Sequence, residues 1–458
     1  MSRSGVSVLL LAVLLSGCAG IPSSAPGSPT PAAVTPTPSP AISTEWVEYH
    51  RDAARAGAGP DNPPLTSPHP VWTAPVDGAV YASPLVVQGH VIVATENDTV
   101  YSLDLFTGSV IWKAHLGAPV PASSLPCGDI GPVTGITGTP AADPASGRVF
   151  VVAYLQGRHH MLFGLNLADG STVVQQDVDP AGSNPAVQQE RGALAIGSGF
   201  VYVPFGGLYG DCGAYHGYIE AVPLGGGVPH VYRVPSARGA GIWSAAGPAI
   251  DRSGNVFVVS GNATAWGAAF DFSDTVFELS ADLSALKSYF APANWAALNA
   301  GDVDLGALGP TLVPSGGVVA VGKDGIAYLM RAGALGGVGG QVTSKRVCSG
   351  AFGGTAVSGD SIFVPCTDGL VALSVAGGAI AVSWHAPHPV LGSPILSAGA
   401  LWAIEPASAT LFALDPSSGR VIYSTGLGAA EHFTTPAATD GFVLAPAGSS
   451  VVAILTAG

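Results

Sequence analysis

The residues best equipped for chemistry in this 458-residue chain are cysteines, histidines and a few loop carboxylates. Cys127, Cys212, Cys348 and Cys366 form an even set downstream of Cys18. In an oxidising compartment four such residues make two disulfides, in one of three pairings. Cys127–Cys212 is favoured, because both lie in loops carrying Gly and Asp (Cys127-Gly128-Asp129 and Gly210-Asp211-Cys212). Cys348–Cys366 would then join adjacent repeats. No Cys-x-x-Cys-His offers covalent haem attachment, and no Cys/His spacing suggests structural zinc. His159-His160 reads as an exposed turn between two strands, and His216 stands near Asp211, Cys212, Tyr209 and Tyr215. Gly336-Gly337-Val338-Gly339-Gly340 lacks the Lys-Ser/Thr of a phosphate loop and reads as a flexible loop. Gly261-Asn262 and Asp302-Val303-Asp304 place polar side-chain oxygens between apolar runs. The same motifs also close turns through local hydrogen bonds.

Positioning such groups falls to a chain that turns often. Its 63 Gly and 38 Pro exclude a mainly helical protein, since an interior Gly costs a helix about 1 kcal/mol and a Pro about 3. Sixteen Lys+Arg against 30 Asp+Glu leave a net charge of -14, which argues against nucleic acid as a partner. Arg3 precedes an apolar run from Val6 to Leu15. About ten residues cannot cross a bilayer, which takes roughly twenty, so the run reads as an export signal. Leu15-Ser16-Gly17-Cys18 resembles the bacterial lipoprotein box. That resemblance implies cleavage before Cys18 and acylation of its thiol, worth roughly 0.8 kcal/mol of anchoring per buried methylene. The expected organisation is a signal peptide over 1–17, a lipidated Cys18 with a disordered Pro/Ser/Thr-rich tether over 18–44, and a folded domain over 45–458. The lipid would hold that domain on the outer side of the cell membrane.

A periodic pattern organises the domain. Ser83-Pro84-Leu85-Val86-Val87 leads to Val91–Ala94, Val100–Asp104 and Thr107–Trp112, with a turn after each apolar run. The order returns from Thr139, Gly192, Gly247, Gly309, Gly354, Ser393 and Thr435, a spacing near the size of one four-stranded propeller blade. The eighth copy stops after its third strand, Val451–Leu455, whereas Pro70–Val76 is a strand without a blade. The expected fold is therefore an all-β, eight-bladed β-propeller of four-stranded blades, closed by that N-terminal strand on the last blade. The long insertions in copies two to four should build one face of the disc.

Leu103-Asp104-x-x-Thr107-Gly108-x-x-x-Trp112, and its echo from Leu414 and Asp415 through Ser418-Gly419 to Tyr423, resemble the tryptophan-docking repeat of quinoprotein-like propellers over about residues 70–456. In that family the Trp or its substitute packs between blades. One kind of member is an alcohol dehydrogenase carrying pyrroloquinoline quinone and Ca²⁺; another is a cofactor-free lipoprotein that serves as an assembly scaffold. For the first kind, the resemblance implies Asn262, with Asp211 in place of the family's Glu, as metal ligands beside the quinone. It implies Asp302 or Asp304 as the catalytic base. The family's vicinal Cys pair is absent, and no Trp is obviously placed beneath a quinone ring. The leading expectation is a monomeric, lipid-anchored binding or assembly scaffold without a cofactor, meeting a protein or glycan partner on one propeller face. The alternatives are a pyrroloquinoline-quinone/Ca²⁺-dependent, alcohol dehydrogenase-like oxidoreductase and a cell-wall polysaccharide-binding module.

Overall fold

The computed structural model describes residues 45–59, 64–263, 269–439 and 441–457. The expected signal peptide, Cys18 and the expected tether lie outside the described residues. Eight antiparallel sheets follow one another in chain order, each built from inner to outer strand. Blade one runs Leu85–Val87, His90–Ala94, Thr99–Asp104 and Val110–His115. Second strands such as Arg148–Leu155 of blade two are apolar almost throughout, because neighbouring blades cover both of their faces. Outer strands bury little: in Val110–His115 only Trp112 is buried.

Closure is as the repeats require. His69–Pro75 pairs antiparallel with Ser450–Leu455, from His69 opposite Leu455 to Pro75 opposite Ser450, and supplies the fourth strand of blade eight. The Gly-rich stretch is not simply a loop. Gly337–Val338 pairs in parallel with Phe290–Ala291 and adds a fifth strand to the outer edge of blade four. Both disulfides form as favoured. Cys127–Cys212 spans 85 residues, and Cys348–Cys366 ties the end of blade five to the second strand of blade six.

The docking motif has a physical basis. Trp112 lies over Gly170 of blade two and donates its indole N–H to the Leu167 carbonyl at 2.8 Å. Trp72 of blade eight does the same over Gly108, donating to Leu105, and Trp384 of blade six over Gly419, donating to Pro416. Each glycine has φ near +70°, and a Cβ there would lie 2.5–2.7 Å from the indole ring. Only glycine satisfies both the turn and the ring packed on it.

The segment before the closing strand is a plug that sequence patterning does not reveal. Innermost strands of a propeller expose an unpaired edge to the central channel, and a buried N–H without an acceptor is costly. Here the segment from Trp46 to Gly57 circles the channel and accepts those hydrogens. Val86, Ala142, Ile250, Val357 and Leu396 donate to the carbonyls of Trp46, Val47, Ala53, Ala56 and Gly57 at 2.7–2.9 Å. Ile196 donates to the Glu48 carboxylate at 3.2 Å. Arg55, buried at the centre, donates to the Pro248, Leu194 and Tyr49 carbonyls and to Glu48. Trp46, Tyr49 and His50 are fully buried around it.

In this topology the connections from one blade to the next, and the turns between second and third strands, lie on one face, here called upper. The plug enters from the other face. Glu45 accepts from Gln88, which sits in the turn between the first two strands of blade one.

Candidate functional site

The upper face holds a cavity of about 660 Å³, within the range of small-molecule sites. Asp211, Asn262, Asp302 and Asp304 all line it. Asp211 comes from the loop between Phe200–Gly207 and Tyr218–Pro223 of blade three. Asn262 follows Val256–Val259 of blade four. Asp302 and Asp304 sit between the short helix Trp295–Ala300 and the 3-10 turn Leu305–Ala307, on the way to blade five. Repeat geometry thus brings together residues from three separate loops.

The groups are held by one another. Asp304 is almost fully buried; one oxygen accepts the Asn262 backbone N–H at 2.5 Å and the other lies 2.6 Å from Lys323 Nζ. Lys323 also reaches Asp302, whose carboxyl is largely exposed, at 3.2 Å. Burial pushes the Asp304 carboxyl up, and Lys323 partly offsets this. Burial pulls Lys323 down, but Asp304 and Asp302 outweigh it and the ammonium is held more firmly charged. On the opposite wall, Asp211 accepts from the Tyr215 hydroxyl at 2.6 Å. Asp129 meets Arg191 at 2.9 Å and His432 at 3.1 Å. Burial would raise Asp129, yet His432 and Arg191 hold it below the usual carboxylate range. The Cys127–Cys212 bridge staples the Asp211 loop to the one carrying Asp129.

A Ca²⁺ site needs several oxygens free to converge on one point. These do not fit it. Both oxygens of Asp304 are engaged, one of them by a cation of the protein itself, and the Tyr215 hydroxyl takes one oxygen of Asp211. Among the described residues, the groups of His, Cys, Asp and Glu that bring three ligand atoms within 4.8 Å are His159/Asp177/Asp179 and Cys348/Cys366/Asp368, neither of them in this cavity. The second is a disulfide with an aspartate beside it. His159 and His160 open the strand His159–Asn166 and do not form the expected turn: His159 is exposed, whereas His160 is buried against Tyr154 and bonded to Asp179 at 2.8 Å.

Sequence reasoning missed Lys323 and the aromatic residues of the cavity. Trp243, Phe352 and Phe433 line it, half-buried, with neighbouring ring centroids 6.5 and 6.4 Å apart. Lys323 Nζ lies 5.8 Å from the Trp243 ring and Arg191 Cζ 5.9 Å from that of Phe433. The signal was available: each aromatic falls shortly before a repeat's anchor pair, Gly247-Pro248, Gly354-Thr355 or Thr435-Pro436. Tyr49 of the plug lines a small recess that shares Arg191, His432 and Phe433 with the cavity.

Comparison with known proteins agrees with this architecture. Residues 67–215 match the family model described as outer membrane protein assembly factor BamB. No curated protein is matched at a significant level. Among solved structures, the quinohemoprotein alcohol dehydrogenase ADHIIG of Pseudomonas putida HK5 is similar with a TM-score of 0.72 at 13% identity, over 91% of this chain and 80% of that one. The quinohemoprotein alcohol dehydrogenase of Comamonas testosteroni gives 0.70 at 15%, over 91% and 81%. BamB of Moraxella catarrhalis gives 0.59 at 14%, over 85% and 98%. In fold, the chain is a quinoprotein-like eight-bladed propeller with a BamB-type repeat match over part of its length. Identities this low speak to fold, and fold does not assign chemistry.

Proposed function

We propose that this protein is a non-catalytic binding propeller of the cell envelope, lipid-anchored through Cys18, whose partner engages the upper-face cavity. One observation carries the proposal: Lys323 pairs with both Asp302 and Asp304, the two carboxylates from which the dehydrogenase reading draws its base. A carboxylate held by an ammonium is a poor proton acceptor, so the pairing works against a base at either position. Charge balance supports it further. Pyrroloquinoline quinone is a tricarboxylate, and the cavity's Lys323 and Arg191 are already paired with aspartates. The BamB assembly factor in the same fold is consistent with a protein-binding role.

The oxidoreductase reading is favoured by one observation, the half-buried ring of Trp243, which offers a flat platform in the cavity. A titration decides between them. The protein is mixed with pyrroloquinoline quinone and Ca²⁺ while absorbance and melting temperature are followed. The binding reading predicts no stoichiometric complex at micromolar quinone. Tight one-to-one binding that is lost in Asn262→Ala would make the protein a quinone enzyme.

A further inference from the structure

We infer that the cavity takes a neutral saccharide. The inference rests on the binding reading above and gives its ligand a chemical class. Three features converge on it. The first is the row Trp243–Phe352–Phe433. Successive rings are tilted by 50° and 42° at about the same spacing, so none covers its neighbour's face. Aromatic faces of this kind take apolar C–H surfaces, and a pyranose ring presents one on each side.

The second is the placement of polar groups at both ends of the row. Arg191 and Asp129 stand beside Phe433, while Lys323 with Asp302 and Asp304 stands beside Trp243. Sugar hydroxyls lie around the ring edge, each a donor and an acceptor, so they need both kinds of group at the rim of an apolar platform. The Asn262 side-chain amide carries one of each on one group. It lines the cavity, and no hydrogen bond from the described residues engages it.

The third is charge compensation. Each cation on the cavity wall is already paired with an aspartate, so an anionic ligand would have to break an ion pair to gain one. For a cationic ligand, Asp211, bonded to the Tyr215 hydroxyl, is the one cavity aspartate among the described residues without a cationic partner. A neutral polyhydroxyl ligand bonds to the paired groups as they stand. Paired charges also remain fixed hydrogen-bonding partners at high salt, which sets this ligand class apart from one captured by net charge.

The experiment uses the folded, soluble protein and neutral tetrasaccharides of hexoses and of N-acetylhexosamines, followed by calorimetry and Trp fluorescence at low and high salt. A parallel arm measures co-sedimentation with insoluble cell-wall polymer. Saturable binding in either arm, unchanged by salt, is the expected result; the first arm assigns it to free oligosaccharide and the second to the wall. Trp243→Ala should weaken it at least about tenfold, and Trp243→Phe, which keeps a ring, should largely retain it. The absence of binding in both arms overturns the inference, as does binding that collapses with salt or survives Trp243→Ala in a folded variant. Stoichiometric uptake of quinone with Ca²⁺ would instead overturn the binding reading itself, so the two failures are distinguishable.

Discussion

Asp304 shows how a single carboxylate can look like a ligand or base in sequence and serve another purpose in space. It bonds to the backbone of blade four through Asn262 and to Lys323 of blade five, and so acts as a bracket between two cavity loops. The bracket depends on Gly261. A Cβ there would lie 2.6 Å from Asp304 Oδ1 and 2.8 Å from Trp243 Nε1, neither of which can retreat without breaking its contacts. Gly261→Ala should therefore cost about 1–3 kcal/mol and displace both groups, read as a lower denaturation midpoint with altered Trp fluorescence. The Asn and Asp positions were legible because they sit in short motifs after recognisable strands. Lys323 was not, because a lone lysine in a hairpin carries no pattern; its meaning comes from a loop of another blade.

At the scale of elements, the blade interfaces rest on a repeated device, an indole laid over a left-handed glycine. Trp112→Ala removes the ring and its bond to Leu167 and leaves Gly170 facing a void. The expected loss is about 3–5 kcal/mol, measured as a shift in the urea midpoint. Tyr423, expected from the echo motif, packs partly buried against the cluster containing Trp402. Trp72 and Trp384 dock as Trp112 does, although their surrounding repeats are too degenerate to announce it. Strand order and closure were readable from the repeat because each blade must solve the same burial problem. The plug was not, because its bonds run through backbone carbonyls, and carbonyls are present whatever the side chains are.

At the scale of the whole molecule, buried acids of blades one and three give it a pH signature. Burial pushes Glu96 up to about 7; burial, and then Glu96, push Asp98 up to about 9; burial holds Glu190 well above the usual range. Groups raised in the folded state keep protons there that the unfolded chain releases. Their contribution is complete below the ordinary values of 4.5 and 3.8 and is lost as pH rises toward about 7 and about 9. The melting temperature should fall between pH 5 and pH 9. Glu96→Gln should flatten the lower part of that decline and Asp98→Asn the upper part. A melting temperature that climbs across this range would show these acids to be ionised in the fold.

The central claim is that the protein's own ammonium neutralises Asp302 and Asp304, so that the cavity carboxylates hold no metal ion. Calorimetric titration with Ca²⁺ of the wild-type protein and of Lys323→Ala tests it most directly. The wild type should take up no stoichiometric Ca²⁺ in the cavity, and Lys323→Ala, which leaves Asp302 and Asp304 uncompensated, should gain affinity for the ion. One-to-one binding by the wild type that disappears in Asp304→Asn would contradict the account and restore the metal site.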